Sequence, residues 1–166
     1  MKKAVWSAAA AAAFLACAST AHAQLATASI QATVNVGNQA RLTVIGTVAF
    51  PDSDPDTVTS IASTGTVNVS ARARVAPSQG LIVTVQAQDA FFDMGTNTIP
   101  ATAMSWTATG TSFLLTGSVT SASATNVASW NGPASQTGVQ TYNLANSWNY
   151  APGIHDLTLT YTLATP

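Results

Sequence analysis

From residue 26 the chain alternates without a break: Ala26, Ala28, Ile30, Ala32, Val34 and Val36 are apolar, and Thr27, Ser29, Gln31, Thr33 and Asn35 between them are polar. Period two is the signature of a strand that buries one face. Its partner is either the chain's own sheet, as the ordinary first strand of a monomeric sandwich, or the open edge of another copy. The same alternation returns downstream. Leu42, Val44, Gly46, Val48 and Phe50 share one parity and stop at Pro51, and 51–65 reads as a polar connection. Val67, Val69, Ala71, Ala73 and Val75 then alternate with Asn68, Ser70, Arg72 and Arg74, predicting a strand with its cationic face outward. Pro77-Ser78-Gln79-Gly80 predicts a hairpin into Leu81, Val83, Val85 and Ala87.

Beyond an irregular loop over 89–98, the stretch 99–109 places Met104, Trp106 and Ala108 on one side. Gly110 and Gly117 bracket a short run around Phe113 and Leu115, and Asn131-Gly132-Pro133 breaks the chain after Trp130. Tyr142, Leu144, Trp148 and Tyr150 share a parity within 139–150, and Leu157, Leu159, Tyr161 and Leu163 alternate with threonines in the last segment. Many short strands, turn residues between them and no amphipathic helix predict an all-β antiparallel sandwich.

The first 23 residues read differently. Lys2 and Lys3 precede an apolar stretch over 4–18, too short for a comfortable span, and Ala21-His22-Ala23 supplies a small-x-small cleavage site. This is the pattern of a secretory signal peptide. Phe14-Leu15-Ala16 before Cys17 is a poor lipobox, so lipid attachment is the lesser reading. Cleavage removes both lysines and the single cysteine. It leaves three arginines against six aspartates, a net charge of −3, with no glutamate. Such a surface has no electrostatic footprint for nucleic acid, and no membrane span remains after cleavage. Without disulfides the core alone must stabilise an exported domain. The expected organisation is a leader over 1–23, a donor strand and pivot over 24–37 ending at Gly37, with Asn38 beside it, and a sandwich over 38–166.

Gly153-Ile154-His155-Asp156-Leu157-Thr158-Leu159-Thr160-Tyr161-Thr162-Leu163 resembles the terminal strand of bacterial fimbrial subunits and of the related spore-coat-U-type secreted domains. Those end in a Gly-x-(Tyr)-x-Asp motif, alternating apolar residues and a late Tyr. Ile154 stands where a Tyr is common, and the mature chain lacks the cysteines that many members pair. The alternating segment behind the leader is similar to their donor strand. The resemblance implies an incomplete immunoglobulin-like sandwich whose groove is filled by the N-terminal strand of a neighbour. Donor residues would be Ala26, Ala28, Ile30, Ala32, Val34 and Val36, and the acceptor groove would include Leu157, Leu159, Tyr161 and Leu163. It further implies a secreted, extracellular filament of identical copies, with a periplasmic chaperone and an outer-membrane usher as possible partners. The chain has no LPxTG-like motif and, after cleavage, no lysine for an isopeptide crosslink, so those routes to a polymer are not expected.

Chemistry is sparse. The one histidine outside the leader, His155, falls in the predicted last strand with Asp156 on the opposite face, and there is no GxSxG elbow or Cys/His cluster, so no enzyme is expected. Asp52, Asp54 and Asp56 form the single concentrated polar site. Carboxylates at i, i+2 and i+4 suit Ca²⁺, and equally the turn chemistry of Asp and Pro; no other cofactor is suggested. A second function class is a monomeric carbohydrate-binding or adhesion module. Trp106 and Trp148 lie in phase with apolar neighbours and are expected in the core, which leaves Trp130 as the candidate for stacking on a sugar. Asn68-Val69-Ser70 matches a glycosylation pattern but lies in a predicted strand.

Overall fold

A computed structural model describes residues 29–92, 99–109 and 113–166. The chain divides into two units at Val36. In the first, residues 29–35 carry no regular secondary structure, and Ile30 and Val34 are 95% and 83% exposed. The second is all-β and antiparallel. Its strands are β1 (Gln39–Gly46), β2 (Ser60–Arg74), β3 (Gly80–Ala87), β4 (Phe91–Phe92), β5 (Ile99–Pro100), β6 (Met104–Thr109), β7 (Gly117–Ser118), β8 (Thr125–Asn131), β9 (Ala134–Ala145) and β10 (Leu159–Ala164). One sheet runs β1-β2-β9-β6-β7, a second β10-β3-β8, and β4 and β5 form a small ribbon.

Alternation explains which faces meet. Val67, Val69 and Ala71 of β2, Val83 and Val85 of β3, Met104 and Trp106 of β6, Val127 of β8 and Tyr142 and Leu144 of β9 belong to one buried cluster. Both sheets therefore share a single core, as expected of a β-sandwich. The hairpin expected at 77–80 is instead an arch. β2 and β3 lie in different sheets, so the turn carries the chain across the core rather than back along one sheet. Gly132 makes a second arch from β8 to β9 with φ +74°, a conformation glycine tolerates at no steric cost. The two arches interlock: the Gly132 amide donates to the Gln79 carbonyl, and a Cβ there would lie 2.9 Å from the Pro77 oxygen.

Several elements depart from the expected ones, β9 among them, which runs Ala134–Ala145 rather than over 139–150. β1 begins at Gln39 and stops at Gly46, whose φ of +145° turns the chain away; a side chain there would strike the Thr66 carbonyl. Ser60–Gly65, expected as polar connection, opens β2 through a bulge between Ala62 and Thr66, where the Ser63 hydroxyl accepts from the Tyr142 amide at 3.3 Å. β8 was not expected as a strand. Val127 and Ala128 are both buried because the register shifts opposite Val83 and Thr84, which erases the period-two pattern.

Candidate functional site

The two sides of the sandwich are finished differently. On one side the segment after β6 stitches the sheets together. Leu114 bridges Ala128 of β8, the Leu115 amide donates to Val127, and β7 returns to pair with β6. Trp106 locks this closure, its indole N–H donating to the Leu115 carbonyl at 2.7 Å. On the opposite side, among the described residues, β1 pairs only with β2, and β10 only with β3. These two edge strands run beside one another across the layers without pairing. Each leaves one row of backbone groups without a strand partner among the described residues, the usual template for another strand.

Beyond the ends of these strands the gap widens into an open cavity of about 1160 Å³. Its floor is core: Ile61, Phe92, Ile99, Met104 and Leu144. Val48 and Phe50 form one wall, Leu157 and Leu159 the other. The chain takes this path because Gly46 ends β1, and the Thr64 amide then holds the Ala49 carbonyl at 2.9 Å. Of the expected acceptor residues, Leu157 and Leu159 line the cavity, while Tyr161 and Leu163 continue the same inward face along β10, half-buried against the core. Val48, Phe50 and the five floor residues are additions. The parity of Val48 and Phe50 was visible, but it suggested a continuing strand rather than a wall.

Of the expected donor residues, Ala26 and Ala28 lie outside the described residues; Ile30, Ala32, Val34 and Val36 are exposed and in no strand. Gly37 is tied down rather than free, its carbonyl accepting from Arg74 Nε at 3.1 Å.

The acidic run does not form a cage. The Asp54 carboxylate accepts from the Asp56 amide at 2.9 Å, and the Asp54 carbonyl accepts from Thr57 and Val58, which is turn chemistry. Asp56 is taken by the Trp148 indole N–H at 2.9 Å. Among the described residues no group of three or more metal-binding side chains is assembled.

Trp106 is fully buried, as expected, but the other two tryptophan assignments are reversed. Trp130 is half-buried, packed edge-on against Phe113 with ring centroids 5.5 Å apart, and its indole nitrogen is buried without a partner among the described residues. Trp148, expected in the core, is 69% exposed on the rim of the cavity. His155 precedes β10 rather than lying within it, half-buried beside the cavity. Its Nε2 is 2.8 Å from the Ala151 carbonyl; since a carbonyl only accepts, Nε2 donates in this bond. Asp156 is exposed. No helix among the described residues is long and apolar enough to cross a membrane. No protein-family model matches the chain, and no curated protein matches it either.

Proposed function

We propose that this chain is the structural subunit of an extracellular bacterial filament, in which the N-terminal strand of one copy fills the open side of the next. The observation that carries the reading is the asymmetry of the sandwich. One side is stitched by Leu114–Ser118, while among the described residues the other leaves two strand edges and a cavity with an apolar floor and a polar rim uncovered, and residues 29–36 of the amphipathic segment lie in no strand.

The energetics suit such a joint. Eleven residues in extended form span about 36 Å at ~3.3 Å per residue, enough to run the length of a sandwich. Burying roughly 300–400 Å² of Ile30, Val34, Val36 and the alanines would gain on the order of 8–10 kcal/mol before ordering costs. Pairing on both sides would also remove the free edges of β1 and β10. Before assembly, open strand edges and an exposed apolar floor of this kind need a temporary cover, the physical role a periplasmic chaperone would fill, with an usher for export. In this reading the working residues are packing residues, and no catalysis is assigned.

Negative-stain microscopy of the chain from Gln24 onward tests it. Filaments should form with the native sequence and vanish with Ile30→Asp or on removal of residues 24–36, while circular dichroism stays β-rich. Intact filaments from either variant would overturn the reading.

One observation favours the second class. Trp148 holds its indole on the cavity rim through Asp56 with most of the ring free, the arrangement of a sugar-stacking platform. Glycan binding by the Ile30→Asp monomer, lost on Trp148→Ala, would move the assignment to an adhesion module.

A further inference from the structure

Charge is segregated along the domain. Arg41 and Arg72 are direct cross-strand neighbours. Val69 and Ala71 point into the core, so the alternating positions Arg72 and Arg74 stand on the outer face of the sheet, and the register sets Arg41 beside them. Like charges opposite one another on a sheet are destabilising, so such a pair calls for a compensating partner. Arg74 lies opposite Gln39 and also holds the Gly37 carbonyl, so the patch surrounds the root of the N-terminal segment. These are all the arginines of the chain, and all three are exposed.

The described aspartates lie at the other end. Asp52 and Asp54 border the cavity, Asp156 borders it from the opposite wall, and Asp89 follows β3 at the same end. From Arg72 to Ile61 along β2 is roughly 35 Å at ~3.3 Å per residue, several times the ~8 Å screening length of physiological salt. Among the described residues no guanidinium has a carboxylate partner.

We propose that consecutive copies dock through these opposite charges: Arg41, Arg72 and Arg74 of one copy seat against Asp52, Asp54 and Asp156 on the groove rim of the next. The inference rests on the filament reading and adds its second contact. A copy whose N-terminal segment enters the groove at the cavity end brings its arginines to the carboxylates there, because the patch sits at the root of that segment. A second copy is the occupant that the charges select. With three arginines against six aspartates the chain projects no broad positive field for an anionic polymer. Pairing of this kind raises the association rate and fixes orientation, and both effects are sensitive to salt.

The test is assembly of the leader-free chain, followed by light scattering. Arg41→Glu/Arg72→Glu should slow assembly about tenfold or more at low salt, with the deficit shrinking as salt rises. Asp52→Arg/Asp156→Arg should do the same. These positions avoid Asp54, which holds a turn. Mixing the two variants should restore assembly, since each patch then meets an opposite rim only in an alternating copolymer. A chain carrying all four changes should also recover. A free peptide of residues 24–36 should bind the full chain carrying Ile30→Asp equally well with or without the arginine reversals. Reversals that assemble at the native rate while the peptide still binds would overturn the charge contact and leave the groove reading standing. A peptide that does not bind would remove the groove reading, and this contact with it.

Discussion

Tyr142 of β9 and Tyr161 of β10 join the two sheets through their hydroxyls, 2.5 Å apart, and Tyr161 donates onward to Gln140 Oε1. Because the single Tyr161 proton goes to the amide oxygen, Tyr142 is the donor to Tyr161. Burial holds Tyr142 well above the ordinary tyrosine range, helped by the neighbouring phenol, and pushes Tyr161 up to about 12 although the hydrogen bond from Tyr142 opposes the shift.

That fixes the sign of an alkaline transition. Both phenols bind their proton more tightly folded than unfolded, so their contribution is complete below about pH 10, the unfolded value. It is lost as pH rises toward 12 for Tyr161 and beyond for Tyr142. The slope is on the order of 1.4 kcal/mol per pH unit for each phenol. The urea midpoint should be flat to about pH 9 and fall steeply above 10. Tyrosinate absorbance should show Tyr150 ionising first, because burial raises it less.

Tyr161→Phe isolates the network. Gln140 is fully buried, and its Nε2 already lacks a partner among the described residues. Removing the Tyr161 hydroxyl strands Oε1 as well. The expected cost is about 1–3 kcal/mol in urea unfolding, the penalty for a buried acceptor left unpaired. An unchanged midpoint would mean the amide repacks without cost.

The closed side of the sandwich makes its own prediction. A Cβ on Gly117 would lie 2.6 Å from Trp106 Cζ2, and Trp106 is fully buried with its indole N–H committed to Leu115. The ring has nowhere to move. Gly117→Ala should cost about 1–3 kcal/mol of stability. Its near-ultraviolet circular dichroism should change, since Trp106 dominates the core aromatic pair with Tyr142.

How much of this was visible in the sequence depends on what each residue had to report. Residues 67–74 of β2, all of β3, residues 139–145 of β9 and all of β10 keep a clean period-two burial and were legible, as was the inward face Leu157, Leu159, Tyr161 and Leu163. The arch at 77–80 was not, because turn residues signal a reversal but not which sheet the chain re-enters. Trp148 was misplaced by carrying the parity of β9 past its end. After Ala145, Asn146 spends its amide on the Ser53 and Val58 carbonyls, the chain turns, and phase no longer means burial. The cavity was invisible for a related reason: its walls come from segments flanking β1 and β10, brought together only by Gly46 and the sheet edges.

The two tryptophans separate by experiment. Trp130→Ala should lower stability by about 2 kcal/mol or more, since it removes a ring packed on Phe113 and the core. Trp148→Ala should stay within about 0.5 kcal/mol, as an exposed side chain. Acrylamide should quench Trp148 emission and leave Trp106 dark to the quencher. A large stability loss at Trp148 would return it to the structural role expected from its parity.

Hydrogen exchange addresses the open side without requiring filaments. Among the described residues β2 and β9 are paired along both edges, whereas β1 and β10 are paired along one. In the full chain carrying Ile30→Asp, amides in 39–46 and 159–164 should exchange faster than those at the centre of β2 and β9. Adding the free peptide of residues 24–36 should slow exchange at β1 and β10 while leaving β2 and β9 unchanged. The reason is that a strand seated between those edges supplies the missing ladder partners and covers Leu157 and Leu159. Protection appearing instead around Leu114–Ser118 would place the peptide on the stitched side, where the sheets already close on each other.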